Sequence, residues 1–140
     1  MQLKIKRLTK TARLPEKAFT TEAGFDIFTD QEIMIESNQT VAISTGIALE
    51  IPEGHYGRLK GRSGLTLKSP LRVLEGTIDL SYRGEIKVMV EVKKDCVYYV
   101  PKGMKIAQLI IQPLPQIELL EVDELSQSDR GENGFGSTGV

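Results

Sequence analysis

The sequence has few of the residues on which several classes of protein depend. Cys96 is the only cysteine among 140 residues, so no disulfide can form within the chain, and a reducing cytoplasm is the expected location. Cys96 lies in the apolar stretch CVYYV and is expected to be a small core residue. His55 is the only histidine. It lies in the turn-like stretch PEGHYG, so we expect a structural or solvent-exposed role for it and no triad with a histidine base.

Charge excess and long apolar runs are also absent. The formal net charge is −1, so the chain has no general field to attract nucleic acid or an anionic membrane. No apolar run approaches the ~20 residues of a membrane helix. The opening MQLKIKRL alternates charged and apolar residues, unlike a signal peptide. We expect no nucleic-acid or membrane partner, and a polyanionic ligand would need local groups or a metal to hold it.

Apolar residues recur with a period of two along most of the chain. The clearest case is GEIKVMVEV (84–92), in which Ile86, Val88, Val90 and Val92 share one face. The stretch KIAQLII (105–111) is apolar on both faces, as a buried strand would be. Only 63–68 is a candidate for a turn of helix. About ten short strands separated by turn clusters predict an all-β jelly roll, sandwich or barrel.

The length of the chain favours one domain, and the end of the chain differs from the rest. We assign 1–129 to a single β domain and expect 118–129 to form a final strand followed by a polar connector. The last stretch, RGENGFGSTGV (130–140), holds four glycines around Phe135. By composition it is a frayed terminus; the alternative is an arm that closes over a ligand.

Two stretches carry the residue types of a nucleotide site, although each has a simpler interpretation. In GTIDLSYRGEI (76–86), glycines bracket a predicted hairpin, with Asp79 and Tyr82 near its tip. Backbone groups at such a tip can pair with the edge of a base, a carboxylate can deprotonate a water, and a tyrosine ring can form a flat wall. In GRSGL (61–65), Arg62, Ser63 and Gly64 suit a phosphate oxygen. Alone, these stretches also fit an ordinary hairpin and a surface turn.

Two polar residues interrupt stretches that are otherwise apolar. Asp26 lies in AGFDIF and Gln108 lies in KIAQLII. A partly buried carboxylate needs a donor, an arginine or a metal-bound water as a partner. A buried amide likewise needs its donors and its acceptor satisfied.

Together these stretches resemble the five ordered motifs of the homotrimeric dUTP pyrophosphatase (dUTPase) family. The motifs are AGFDIF (23–28), GRSGL (61–65), GTIDLSYRGEI (76–86), GMKIAQLIIQP (103–113) and RGENGFGSTG (130–139). The resemblance implies a jelly-roll-like β-barrel of short strands, a homotrimer with active sites at the subunit interfaces, and a flexible glycine-rich C-terminal arm. It also implies hydrolysis of dUTP to dUMP and pyrophosphate, which limits uracil in DNA and supplies dUMP for dTMP synthesis.

The resemblance assigns roles to residues of the β domain. Asp79 matches the carboxylate that activates the attacking water. Tyr82 matches the ring that stacks on deoxyribose and excludes a 2′-hydroxyl. The backbone at Gly76 and Ile78 would pair with uracil. The phosphate contacts match Arg62, Ser63, Gly64 and Gln108.

The resemblance also assigns roles in the arm and at the metal. Arg130 matches the γ-phosphate arginine and Phe135 the ring that covers uracil. The phosphate-wrapping residues match Gly136, Ser137 and Thr138. The expected cofactor is Mg²⁺, held mainly by triphosphate oxygens and waters, with Asp26 associated through water.

Three positions depart from the common family pattern. Gly61 replaces a proline, Ser81 replaces a second acidic residue, and Glu75 lies in a base-side loop that is shorter than the LNxPGTID form. Two other functions remain open at this point. One is a dCTP deaminase-like enzyme on the same fold, although we find no glutamate base for it. The other is a regulatory, protein-binding role added to the dUTPase scaffold.

Overall fold

The structure, a computed structural model, describes residues 1–136 and 139. In this part of the chain ten strands and one short helix form a jelly-roll-like, nearly all-β fold, as the sequence predicted. The elements are β1 (Lys4–Arg7), β2 (Phe25–Phe28), β3 (Ile33–Glu36), β4 (Thr40–Glu50), β5 (His55–Lys60), α1 (Ser63–Lys68), β6 (Leu71–Val73), β7 (Gly76–Ile78), β8 (Glu85–Val92), β9 (Val97–Val100) and β10 (Lys105–Pro113). The helix confirms the one predicted at 63–68. No helix among the described residues is long and apolar enough to cross a membrane.

The strands form three antiparallel sheets. One sheet has the order β1-β4-β8-β6, a second has the order β2-β10-β5-β7, and β3 pairs with β9. Side chains of all three sheets meet in one hydrophobic cluster. The core therefore lies between the sheets, as expected when several sheets each bury one face.

The period-two pattern of β8 is confirmed. Ile86, Val88, Val90 and Val92 are buried, while the residues between them are exposed. On β10, Ile106, Ala107 and Leu109 are buried, and Gln108 and Ile110 beside them are half-buried. The alternation on β8 correctly predicted a strand buried on one face. The continuous apolar run on β10 correctly predicted a strand with buried residues on both faces.

The predicted hairpin at 76–86 is wrong. β7 pairs with β5, whereas β8 pairs with β4 and β6. β8 lies between β4 and β6 in the first sheet, so both of its edges are already paired. β7 therefore cannot pair with it. Residues 79–84 therefore cross between two sheets, and a turn closes with the N–H of Tyr82 donating to the carbonyl of Asp79 at 3.0 Å.

The predicted final strand within 118–129 is also wrong. Residues 114–136 contain no strand, and 115–136 are exposed. Several large apolar side chains in this segment face solvent, namely Ile117, Leu119, Leu120, Val122 and Leu125. The segment pairs with no strand of the described chain.

His55 and Cys96 play minor roles in the fold. His55 Nδ1 lies 2.9 Å from the carbonyl of Glu53 in the turn before β5, which agrees with a structural role. Cys96 is a free, half-buried thiol that packs against the core from the turn before β9. The sequence predicted a core residue, but Cys96 lies at the edge of the core and is only half-buried.

A buried carboxylate holds the N-terminal segment against β4. The side chain of Asp30 is only 4% exposed and accepts hydrogen bonds from Thr9 Oγ1 at 2.5 Å and Thr11 Oγ1 at 2.7 Å. Burial raises the pKa of Asp30, but these hydroxyls and the charge of Lys102 outweigh it, and the net pKa is lowered. The strand bulges next to this site, where Gly46 has a φ of +70°.

Gly46→Ala is expected to lower the free energy of unfolding by about 3 kcal/mol, from left-handed strain and overpacking together. A Cβ on Gly46 would lie 2.6 Å from Asp30 Oδ2 and 2.8 Å from the Cβ of Ala12. Gly54→Ala is the matched control, because Gly54 has a φ of +76° but open space around it; it should cost about 1 kcal/mol. Urea unfolding of both variants measures the difference, and equal losses would contradict the collision at Gly46.

Candidate active site

The short strand β7 presents its backbone at a sheet edge. It is the last strand of its sheet, and its register with β5 pairs Ile78 with Gly57, Thr77 with Arg58, and Gly76 with Leu59. No strand among the described residues covers its other edge. Unpaired N–H and C=O groups at such an edge are a template for another hydrogen-bonding edge.

Asp79 and Tyr82 line a groove of about 640 Å³ beside this strand. The groove is lined by Ala42, Leu59, Gly76, Thr77, Ile78, Asp79, Tyr82, Glu85, Ile86, Lys87 and Met89; we call it the base groove. Asp79 directly follows buried Ile78, the last residue of β7, and is exposed. The Tyr82 hydroxyl donates to the carbonyl of Glu85 at 3.0 Å. A Cβ on Gly84 would lie 2.6 Å from Tyr82 Cζ, so glycine is needed for the ring to fold back.

A second, more polar groove of about 340 Å³ collects residues from three other motifs. It is lined by Glu22, Ala23, Gly24, Asp26, Arg62, Ser63, Gly64 and Gln108; we call it the phosphate groove. The register of the sheet brings Gln108 on β10 opposite Asp26 on β2, and α1 begins at Ser63 beside them. The structure thus places together the residues that AGFDIF, GRSGL and KIAQLII contributed as separate candidates.

Ion pairs hold Asp26 in place. Its side chain is only 17% exposed and lies 3.2 Å from Arg62 Nε and 3.4 Å from Lys105 Nζ. The prediction that Asp26 needs a partner is confirmed, and an arginine is the one among the three expected kinds that the structure shows. Lys105 was not singled out from the sequence as a partner of Asp26. The only signal for it was its place at the start of the predicted strand KIAQLII, which belongs to β10.

The Gln108 amide has a partner for one of its donors, so the prediction that its polar groups are satisfied is confirmed for that donor. Its Nε2 donates to the carbonyl of Gly61 at 3.0 Å, and its Oε1 faces Gly24. A Cβ on Gly24 would lie 2.8 Å from that oxygen. The glycine of AGFDIF is therefore required by the close approach of Gln108.

The two grooves are separate within one chain, because no described residue lines both. No described residue of the arm lines either groove. Arg130 Nε donates to the carbonyl of Asn133 at 2.6 Å, and Phe135 and Gly136 are exposed. Ser137 and Thr138 lie outside the described residues. One chain thus divides the predicted site residues among three places.

The base groove contains residues that the sequence did not single out, notably Lys87 and Met89. Both lie on the exposed face of β8, as the period-two pattern of this strand predicted. Their proximity to Asp79 depends on the crossing between sheets, which the predicted hairpin had obscured. Among the residues that the structure describes, no three His, Cys, Asp or Glu side chains cluster to hold a metal.

Comparison with protein families and sequences gives a consistent match. The family model described as dUTPase matches residues 10–139. The deoxyuridine 5'-triphosphate nucleotidohydrolase of Alkaliphilus metalliredigens is 46% identical over 140 residues, which cover 99% of this chain and 97% of the relative. The protein of the same name from Clostridium tetani is 44% identical over 139 residues, covering 98% and 96%.

Solved structures with the same fold come from staphylococcal phages. The dUTPase of Staphylococcus bacteriophage 80alpha with dUpNHpp has a TM-score of 0.94 and 35% identity, and 99% of each chain is covered. It is described as controlling the transfer of virulence genes. A variant of the dUTPase of phage phi11 of S. aureus, described with a structural Mg(II) ion, has a TM-score of 0.82 and 30% identity, covering 89% of this chain and 98% of that one.

Gly24→Ala is expected to weaken the binding of inorganic tripolyphosphate about fivefold, because the new Cβ displaces the Gln108 amide and costs about one hydrogen bond. Calorimetric titration measures this affinity. A double-mutant cycle with Gln108→Ala is the control: once the amide is gone, Gly24→Ala should have little further effect. Additive losses would show that Gly24 acts independently of Gln108.

Proposed function

Because the chain belongs to the dUTPase family, we propose that it hydrolyses dUTP to dUMP and pyrophosphate. The observation that carries this function is the base groove, in which a carboxylate and a tyrosine lie beside the free edge of β7. The free edge of β7 can pair with the edge of a nucleobase, and the tyrosine ring can stack on a sugar. The carboxylate lies close enough to act as a general base. Such hydrolysis limits the incorporation of uracil into DNA and supplies dUMP for dTMP synthesis.

The backbone of β7 is proposed to recognise uracil. The groups at Gly76 and Ile78 pair with the polar edge of the base as a neighbouring strand would pair with them. This pairing excludes cytosine, whose donors and acceptors are arranged differently. The Tyr82 ring, held by its hydroxyl at Glu85, stacks on deoxyribose and leaves no space for a 2′-hydroxyl.

Asp79 is proposed as the general base. It accepts a proton from a water as the water oxygen forms a bond to the α-phosphorus. The bond from that phosphorus to the bridging oxygen breaks, and pyrophosphate leaves with the electron pair. Positioning supplies much of the acceleration, because a water held in line reacts as if it were highly concentrated.

The phosphate groove is proposed to bind the triphosphate. Arg62, Ser63 and Gly64 donate to phosphate oxygens, and Gln108 lies near the α-phosphate. The pairing of Asp26 with Arg62 and Lys105 orients these two cations. It also keeps the groove from being purely positive, which helps a charged product to leave.

The donor set fits Mg²⁺ carried by the triphosphate and not a resident metal. Both oxygens of Asp26 already pair with cations, and Glu22 accepts a hydrogen bond from the N–H of Ala18 at 3.0 Å. Asp26 would therefore meet the ion through water. When bound, Mg²⁺ neutralises charge on the phosphates.

A homotrimer is proposed because a single chain leaves the site divided. The base groove of one subunit would face the phosphate groove of a second, and an arm would cover them both. Arg130 would bind the γ-phosphate, Phe135 would cover uracil, and Gly136, Ser137 and Thr138 would wrap the phosphates. The exposed apolar residues of 117–125 support this arrangement, since large apolar surface normally marks an interaction site. A cytoplasmic location belongs to the same proposal.

Asp79→Asn is expected to bind a non-hydrolysable dUTP analogue about as tightly as the parent protein while its kcat falls at least ~100-fold, as for loss of a general base. Pyrophosphate release and calorimetry measure the two quantities. Ammonia release from dCTP is assayed in parallel, since it would indicate the deaminase instead. Hydrolysis of dUTP at the parent rate by the variant would refute the role of Asp79.

Removal of residues 130–140 is expected to leave the β domain folded and trimeric, because the described residues of this segment, 130–136 and 139, are exposed. Activity should fall by at least ~100-fold, since closure excludes water and positions the phosphates. Circular dichroism, light scattering and a dUTP assay give the three readouts. Normal turnover by the shortened chain would restore the interpretation of this segment as a frayed terminus.

A further inference from the structure

The chain passes from one sheet to the other through only two residues, Leu74 and Glu75, which separate β6 from β7. The N–H of Leu74 donates to the carbonyl of Met89 at 2.9 Å and so belongs to the first sheet. Gly76, which follows, already pairs with Leu59 in the second sheet. Glu75 is therefore the residue at which the path of β7 is determined.

The side chain of Glu75 is fixed by Arg58 on β5. Arg58 Nε donates to Glu75 Oε1 at 2.7 Å, and Arg58 Nη2 contacts the same oxygen. Arg58 lies directly opposite Thr77 in the strand pair. The guanidinium thus reaches from the supporting strand to the residue just before β7.

The guanidinium is itself held in place from the other side. Arg58 Nη1 donates to Gln112 Oε1 at 3.2 Å, and the Tyr56 hydroxyl donates to the same oxygen at 3.2 Å. Because Gln112 lies on β10 opposite Tyr56, the chain of contacts runs from β10 through β5 to the start of β7. It links the free edge strand to the centre of its sheet.

A strand of three residues needs such a support. β7 forms only three residue pairs with β5 and has no strand on its outer side, and terminal short strands open easily. The same three residues would pair with uracil. A displacement of about 1 Å at such a surface is enough to weaken a geometry-dependent interaction.

The ion pair also determines where a negative charge lies. Glu75 lines a neighbouring groove with Lys60, Arg62 and Arg72 and does not line the base groove. The hydrogen bond from Arg58 lowers the pKa of Glu75 despite partial desolvation, with further contributions from the charges of Arg58 and Lys60. The carboxylate therefore stays ionised, and it lies outside the base groove.

We propose that Arg58 and Glu75 are positioning residues for uracil recognition: their ion pair holds the start of β7 so that its free edge matches the base. The inference rests on the proposed function and extends it to two residues that do not touch the substrate. It also gives Glu75, which lies in an unusually short loop, a role in supporting the strand and not in contacting uracil.

The test compares the parent protein with Glu75→Ala, Glu75→Gln and Arg58→Ala. Glu75→Gln keeps the size of the side chain and one acceptor oxygen but removes the charge. It replaces Glu75→Ala in the comparison if the alanine variants fold poorly. The KM for dUTP is expected to rise roughly fivefold in the alanine variants, as for loss of a favourable surface ion pair, with kcat within about twofold. The double variant should be no worse than either alanine variant, because both remove the same interaction.

Two binding measurements separate positioning of the base from a general effect. Affinity for dUMP should fall with affinity for dUTP in all these variants. In the Glu75 variants, affinity for inorganic tripolyphosphate should stay the same or rise, since removing the carboxylate leaves the neighbouring cations unopposed. Lys4→Ala is the matched control: it removes an exposed ion pair with Glu50 at 2.6 Å on β1 and should change neither KM nor dUMP affinity.

Unchanged dUMP affinity in the Glu75 and Arg58 variants would overturn the inference, as would an equal loss for dUMP and tripolyphosphate. Failure of the parent protein to hydrolyse dUTP is a different result. It would refute the proposed function, while the binding comparison would still decide whether the ion pair positions β7.

Discussion

The site depends on one constraint: β7 must form the edge of its sheet while its neighbours in sequence belong to the other sheet. Both edges of β8 are taken by β4 and β6, so the chain crosses over before and after β7 and leaves its outer edge free. The crossing at 79–84 brings Asp79 and Tyr82 to the same groove. Backbone pairing, a carboxylate and an aromatic wall therefore follow from a single topological feature.

The phosphate groove is organised by a different kind of interaction. Asp26 interrupts an apolar strand and is held between Arg62 and Lys105, and Gln108 fills the space beside Gly24. Asp26 is 17% exposed, whereas Arg62 and Lys105 are 37% and 48% exposed, so each ion pair stabilises the fold only modestly. These residues therefore stabilise the sheet as well as shape the groove, and their polar groups are oriented by contacts within the chain.

Much of this could be predicted from the sequence where local patterns decide the outcome. Alternation on β8, the apolar run of β10, the turn of helix at 63–68 and the need of Asp26 for a partner are all local or nearly so. The partners of β7 and β8 were predicted wrongly because pairing between distant strands depends on which edges the rest of the fold leaves open. A final strand was expected within 118–129, before a polar connector, but these residues pair with no strand of the described chain. The Arg58–Glu75 ion pair could not be predicted either, since it requires the register between β5 and β7.

The central claim is that the base groove of one subunit and the phosphate groove of another form one active site. The most direct test is to denature Asp79→Asn and Arg62→Ala variants together and refold them as mixed oligomers. If the grooves belong to different subunits, random assortment makes about one quarter of the sites wholly native, and dUTP hydrolysis returns to a corresponding fraction of the parent activity. If each chain uses only its own grooves, no native site can form, and the mixture stays as inactive as the separate variants.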